Sequence, residues 1–233
     1  MRNLPKIVEE GKIMAVFGGG FATRDDLEKV NAVASGLVCA DGAGMQALRF
    51  GLRPDLVAGD FDSGDQGVLE ADGIATYRDT DPDCTDFAKV LRLISARLVV
   101  GAGFLGRRLD HQLAVLGHLA AQPAGRVLLL GPHEVVFRLP AQISLPFGEA
   151  TGVSLFPVTP VTACSTGLQW NLDGIDLRPD GMIATSNRAL GDVLITVEHG
   201  ALLAILPRRW FDMCVAVLGR HLGVGDPTAS LTT

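Results

Sequence analysis

The feature that most constrains this chain is an alternation. Between residues 13 and 121, apolar runs of strand length end in Gly or Asp and give way to stretches with helical spacing. Runs at 13–17, 36–40, 55–58, 74–77 and 98–101 read as strands, and stretches at 25–35, 43–50, 85–96 and 109–121 read as helices. Strands that alternate with helices of this length pack as a parallel sheet covered on both faces. After Pro123 the pattern changes. Short β-like runs follow at 127–130, 135–139, 152–156, 161–166, 193–196 and 201–206, and a helix returns only at 210–218. Gly, Pro and Asp punctuate them, which is the pattern of an antiparallel sandwich or barrel. The expected fold class is α/β: a parallel-sheet domain over 1–130, an all-β sandwich over 131–219 and a loose tail over 220–233.

Composition narrows the function classes. The chain is 48% hydrophobic and 20% charged over 233 residues, enough apolar surface to offset the entropy of ordering the chain. A net charge of −6 argues against a broad nucleic-acid surface. Cys39, Cys84, Cys164 and Cys214 form no CxxC pair, so reduced thiols in a cytoplasmic protein are expected. No apolar run approaches the roughly 20 residues of a membrane span, and the start of the chain mixes charges and a proline, unlike a secretory signal. The acids are unevenly placed. Of 19 Asp, 11 lie between residues 41 and 110, more than half of them in under a third of the chain. Asp is a poor helix former and a compact oxygen ligand, so the excess points to loops that hold cations.

Those loops fall where a parallel sheet binds ligands, outside the carboxyl ends of its strands. Asp41-Gly42 follows the second strand, Gly59-Asp60-Phe61-Asp62-Ser63 the third, and the segment from Asp81 to Asp86 the fourth. If the backbone stays extended, Asp60 and Asp62 point the same way, and two carboxylates aimed at one spot call for a cation between them. Mg²⁺ suits them, since it takes oxygen ligands and is commonly shared with phosphates. Each Asp taken singly also suits a turn or a helix cap. Thr85 reads as an N-cap with Asp86 in the first helical turn, and a helix start also receives phosphate. In Gly106-Arg107-Arg108-Leu109-Asp110-His111, an Arg can grip phosphate oxygens as a fork, while Asp110 can cap the helix and orient His111. Gly18-Gly19-Gly20 lacks the spacing of a dinucleotide fingerprint and the Lys of a P-loop. In the second half, Trp170 stands beside polar residues; a Trp on a sandwich usually fills the core or an edge, whereas one exposed next to a cleft can stack on a flat cationic ring.

Taken together, these segments resemble the thiamine pyrophosphokinase family. The resemblance rests on 39–43 (Cys-Ala-Asp-Gly-Ala), on 54–63 with its Gly-Asp-Phe-Asp-Ser, and on Asp83-Cys84-Thr85-Asp86-Phe87. It continues through the Arg-x-Asp-His of residues 108–111, the segment 167–172 around Trp170, and Thr185-Ser186-Asn187. It implies a Rossmann-like α/β nucleotide-binding domain followed by a β-sandwich that binds thiamine. It implies transfer of diphosphate from ATP to the thiamine hydroxyl, with AMP released. The site residues carried over are Asp60, Asp62 and Asp86 for Mg²⁺, with Asp41 and Asp83 close by. Thr85, Arg108 and His111 are expected at the nucleotide phosphates, and Asp110 orients Arg108 or a water. Trp170 is expected to stack on thiamine, with Ser186 and Asn187 hydrogen-bonding its pyrimidine. A homodimer with thiamine between subunits is implied, with no nucleic acid or membrane partner. Three positions depart from the pattern: Arg107 replaces a common Gly, Pro82 a frequent Lys, and Arg188 a frequent Glu. Two rivals remain: a diphosphokinase for another heterocyclic alcohol such as a hydroxymethylpterin, or a non-catalytic thiamine or nucleotide sensor.

Overall fold

A computed structural model describes residues 7–62 and 66–224. Ser63 and residues 225–233 of the expected tail lie outside the described residues. The parallel part is built from β1 (Ile7–Phe17), α1 (Arg24–Ala32), β2 (Gly36–Ala40), α2 (Ala43–Arg49), β3 (Leu56–Gly59) and α3 (Gln66–Ala71). It continues through β4 (Ala75–Arg78), α4 (Asp86–Leu93), β5 (Ile94–Ala102), α5 (Leu109–Ala121) and β6 (Val127–Leu130). The later strands are β7 (Glu134–Arg138), β8 (Gln142–Leu145), β9 (Thr151–Pro157), β10 (Thr162–Leu168), β11 (Ala184–His199) and β12 (Leu202–Pro207). A short 3-10 turn (Arg208–Trp210) leads into α6 (Phe211–His221).

All twelve strands belong to one mixed sheet, in the order β10-β11-β9-β12-β7-β6-β5-β1-β2-β3-β4, with β8 on β11. From β4 to β6 every pairing is parallel, and β6 meets β7 antiparallel. The chain runs outward from β1 to β4 and then returns to place β5 on the other side of β1. That reversal opens a crevice at the carboxyl ends of β1 and β5. Alternation along β1 shows why the sheet is covered twice. Ile13, Ala15 and Phe17 pack with Leu27 and Val30 of α1, Ala43 and Ala47 of α2, and Leu69 of α3. Met14 and Val16 face the other way, into Phe87 and Val90 of α4 and Val115 and Leu119 of α5.

The sheet does not break at the change of pattern near residue 130. Phe211, Cys214 and Leu218 of α6 share the core of Ile13 and Phe17, so the C-terminal helix packs beneath the parallel strands. α6 runs to His221, and Val224 is buried, so ordered packing continues beyond the expected start of the tail at 220. The helix expected over 85–96 stops at Leu93, because Ile94–Ala96 pair with Ile7–Glu9 in an extension of β1. Arg126 supports the switch by donating to the carbonyls of Ile94 at 2.8 Å and Ala96 at 3.3 Å. β11 is far longer than the expected 193–196. Its first part pairs with β9 and its second with β8, while β10 follows much of its length.

Candidate active site

The crevice is a cleft of about 860 Å³. Asp60, Asp62 and residues 81–86 form one wall, and Phe104, Arg107, Arg108 and His111 the other. Its floor depends on close backbone contact. A Cβ on Gly18 would lie 2.6 Å from the Gly103 carbonyl oxygen, and one on Gly20 would lie 2.4 Å from it. Those two glycines serve the crossing of the β1 and β5 loops, while Gly19 has open space and lines the cleft.

Gly59 plays the same part at the acidic wall. A Cβ there would stand 2.7 Å from that of Asp41, so the bare backbone lets the Asp41 turn lie over the end of β3. Asp41 has φ +45°, and the nearby backbone N–H groups of Gly42 and Phe61 act to lower the pKa of its carboxyl. Its Oδ1 is nonetheless buried without a partner, the sole such side-chain atom among the described residues. Burial, together with the nearby charges of Asp60 and Asp86, raises its pKa above the usual carboxylate range. Phe61, at φ +55°, is buried, so the Asp-x-Asp backbone is not extended. Asp60 instead turns its Oδ1 toward the Asp62 N–H at 3.4 Å. The two carboxylates are therefore not aligned by strand alternation.

Sequence reasoning missed the cation at the centre of this wall. Lys89 Nζ lies 3.8 Å from Asp60 Oδ2 and 3.6 Å from Asp86 Oδ1, with its side chain only 5% exposed. The available signal was a lysine on the apolar stripe of α4, among Phe87, Val90 and Leu91 and three residues after Asp86.

The loop before α4 is ordered by its own acids. Asp79 Oδ1 accepts from the Asp81 N–H at 3.2 Å, and Asp81 Oδ1 from the Asp83 N–H at 3.1 Å. Arg92 clamps the free oxygens, at 2.6 Å from Asp79 and 3.2 Å from Asp81. The Asp83 N–H and the Arg92 guanidinium hold the Asp81 pKa low. Thr85 is the N-cap, its Oγ1 accepting from the Ala88 N–H at 3.3 Å. Across the cleft, Arg108 forks onto Asp110 through Nε at 3.1 Å and Nη2 at 2.6 Å. This contact raises the Arg108 pKa and lowers that of Asp110, which also accepts from the His111 N–H. Arg107 donates to the Gly19 carbonyl at 3.3 Å, tying the arginine loop to the glycine loop.

The donor set fits a hard divalent cation by its chemistry. Asp41, Asp60 and Asp86 stand close enough for their charges to act on one another, and one Asp41 oxygen is buried with no hydrogen-bond partner. No three such groups stand at common ligand reach among the described residues. Lys89 occupies the place between two of them.

Trp170, Ser186 and Asn187 do not line this cleft. Trp170 is 57% exposed on the turn after β10. Asn187 is buried and spends its amide on that turn, donating to the Trp170 carbonyl at 2.7 Å and accepting from its N–H at 3.3 Å. The Arg188 N–H also donates to Asn187 Oδ1, at 2.8 Å. Asn187 is thus a support for Trp170, with little left for a ligand. Ser186 is exposed at φ +61°, and its N–H donates to Ser154 Oγ at 3.0 Å. Arg188 is exposed.

Carboxylates facing guanidinium groups across the switch point of a parallel sheet define a phosphate-handling enzyme. Residues 27–129 match the model "Thiamin pyrophosphokinase, catalytic domain", and residues 141–202 match "Thiamin pyrophosphokinase, vitamin B1 binding domain". "Thiamine pyrophosphokinase 3" of Oryza sativa subsp. japonica is 30% identical over 64% of this chain and 69% of its own length. "Thiamine pyrophosphokinase 1" of Arabidopsis thaliana is 32% identical over 65% of this chain and 64% of its own, so the chain spans about two thirds of these relatives. The chain belongs to the thiamine pyrophosphokinase family. The fold agrees. A crystal structure of thiamin pyrophosphokinase from Geobacillus thermodenitrificans covers 84% of this chain and 97% of its own at TM-score 0.68 and 22% identity. The yeast thiamin pyrophosphokinase structure covers 89% and 90% at TM-score 0.68 and 16% identity.

Proposed function

We propose that this protein transfers the terminal diphosphate of ATP to the hydroxyethyl oxygen of thiamine, giving thiamine diphosphate and AMP. The observation that carries the reading is the cleft itself: an acidic wall and an arginine wall meet at the switch point, inside the span matched by the catalytic-domain model. Diphosphate transfer asks for charge neutralisation, in-line placement and a place for the alcohol proton. Asp60, Asp62 and Asp86 are the residues that would hold Mg²⁺, with Asp41 and Asp83 beside them. When bound, that ion supplies neutralising charge to the phosphate oxygens. Arg108, fixed through Nε and Nη2 by Asp110, keeps its Nη1 donors for a phosphate oxygen. Thr85 and His111 bring the starts of α4 and α5 to the same phosphates.

Thiamine is assigned to the Trp170 turn, with Ser186 at its polar edge and Asn187 holding the turn in place. Because that surface lies outside the cleft of its own chain, the reading calls for a homodimer in which each sandwich serves the partner's cleft. The division of labour is then 1–130 for nucleotide and metal, and 131–219, a sandwich-like unit, for thiamine. No described helix is long and apolar enough to cross a membrane, and all four cysteines are free, which supports the cytoplasmic location proposed. A coupled assay for AMP tests the reading: release must require both thiamine and Mg²⁺, and Asp60→Asn must abolish it without altering the circular dichroism. Wild-type protein that releases no AMP under these conditions overturns the assignment, and full activity in Asp60→Asn removes that residue from the site.

A further inference from the structure

A buried lysine between two carboxylates is expensive unless it has a purpose that an apolar residue does not serve. Lys89 sits on the packed stripe of α4, where Phe87, Val90 and Leu91 are apolar, and a methionine of similar length would fill the same space. Its ammonium reaches both acids, 3.8 Å from Asp60 Oδ2 and 3.6 Å from Asp86 Oδ1. The carboxylates are 36% and 53% exposed and line the cleft, and Lys89, only 5% exposed, lines it with them. A third carboxylate, Asp41, stands close enough for its pKa to feel both.

We infer that Lys89 is a resident counter-cation that holds Asp60 and Asp86 in place and makes divalent metal bind to this cleft chiefly as a complex with the nucleotide. The argument is one of charge. Without Lys89, the pair would be two adjacent anions with strong attraction for any free dication. With Lys89 present, part of that charge is already answered, and a bare hydrated ion both gains less and meets a like charge about 4 Å from its carboxylate ligands. A metal–triphosphate complex changes the balance. Its phosphate oxygens are drawn to Lys89 and to Arg108 on the opposite wall, so the attraction lost by the ion is restored by its ligand. Lys89 is a positioning residue in this account: it acts through the carboxylates and sets the form in which the metal enters. The inference deepens the diphosphotransferase reading and rests on it.

The test is the binding of Mn²⁺, followed by the electron paramagnetic resonance of the free ion, to the full-length protein. Wild type should bind Mn²⁺ weakly alone and more tightly with a non-hydrolysable ATP analogue. Lys89→Met should bind Mn²⁺ alone about tenfold more tightly than wild type, which is what removing a unit charge about 6 Å from a dication gives at the water-like limit of screening. Lys89→Arg, which keeps the charge, should behave as wild type. A lysine that merely packs the helix would leave the Mn²⁺ affinity of Lys89→Met unchanged or lower it, and either outcome overturns the inference. Tight binding of Mn²⁺ to wild type without nucleotide overturns it as well, with no variant needed. AMP release is read separately: an inactive wild type that still shows the charge-dependent Mn²⁺ shift sinks the reaction and leaves the resident cation standing.

Discussion

Asp26→Ala should uncouple the start of α1 from the turn that precedes α6. The Asp26 side chain has two duties. Its Oδ2 accepts from the Thr23 N–H and hydroxyl, both at 2.8 Å, while the Thr23 hydroxyl accepts from the Asp26 N–H at 3.2 Å, closing a capping box. Its Oδ1 receives Arg208 Nη2 at 2.5 Å, and Arg208 also donates to the carbonyls of Gly131 and Pro132. Loss of a cap costs about 1 kcal/mol. Breaking a buried pair from one side costs about 3–5 kcal/mol, but Arg208 is 34% exposed and keeps its carbonyl partners, so about 2 kcal/mol is the fitting share. The total of about 3 kcal/mol corresponds to a fall in Tm of roughly 6–12 °C for a chain of this size. Calorimetry checks it, and Asp26→Asn, which keeps an acceptor for the cap, should lose less. The pH dependence has a definite sign. Burial alone would raise the Asp26 pKa, but the Thr23 N–H and the Arg208 guanidinium outweigh it, so the folded value lies below the usual one. Its stabilisation is complete above the ordinary value near ~4 and is lost as pH falls through the lower folded value, so Asp26→Asn should flatten the acid limb of the stability curve. A fall in Tm below about 2 °C for Asp26→Ala, well short of the range above, would refute the claim that this pair ties the two halves together.

Gly59→Ala should displace the Asp41 turn, since the new methyl would sit 2.7 Å from the Asp41 Cβ. A cost of about 1–3 kcal/mol and a larger proportional loss of AMP release are expected, and the two are separated by a thermal melt and a steady-state assay. Trp170→Ala and Asn187→Ala should part company on stability. The first removes an exposed ring and should raise the KM for thiamine with a change in stability within about 0.5 kcal/mol. The second leaves the Trp170 backbone unpaired and should raise the same KM while costing about 1–3 kcal/mol. Equal stability of both variants would remove Asn187 from its supporting role.

Much of the parallel half was legible because each turn announced itself. Asp41 and Asp60 follow the ends of β2 and β3, Asp86 opens α4 after β4, and Thr85 caps that helix as its place before an acidic residue implies. What was illegible depended on partners distant in sequence. The early end of α4 comes from the pairing of Ile94–Ala96 with the first strand and from the reach of Arg126, neither visible in local periodicity. The start of β11 was hidden because Ser186 adopts a left-handed conformation inside a strand, where β patterning predicts none. Phe61, also left-handed, undid the simple geometry of two carboxylates two residues apart. Lys89 was overlooked because a lysine in a helical run normally reads as a solvated side chain; only its position on the buried stripe distinguishes it.

The most direct test of the central claim is to identify the products by phosphorus NMR after incubation with ATP, thiamine and Mg²⁺. Transfer of the terminal diphosphate predicts thiamine diphosphate and AMP in equal amounts, with no turnover of ATP when thiamine is omitted. Thiamine monophosphate with ADP, or consumption of ATP that ignores thiamine, would contradict the account.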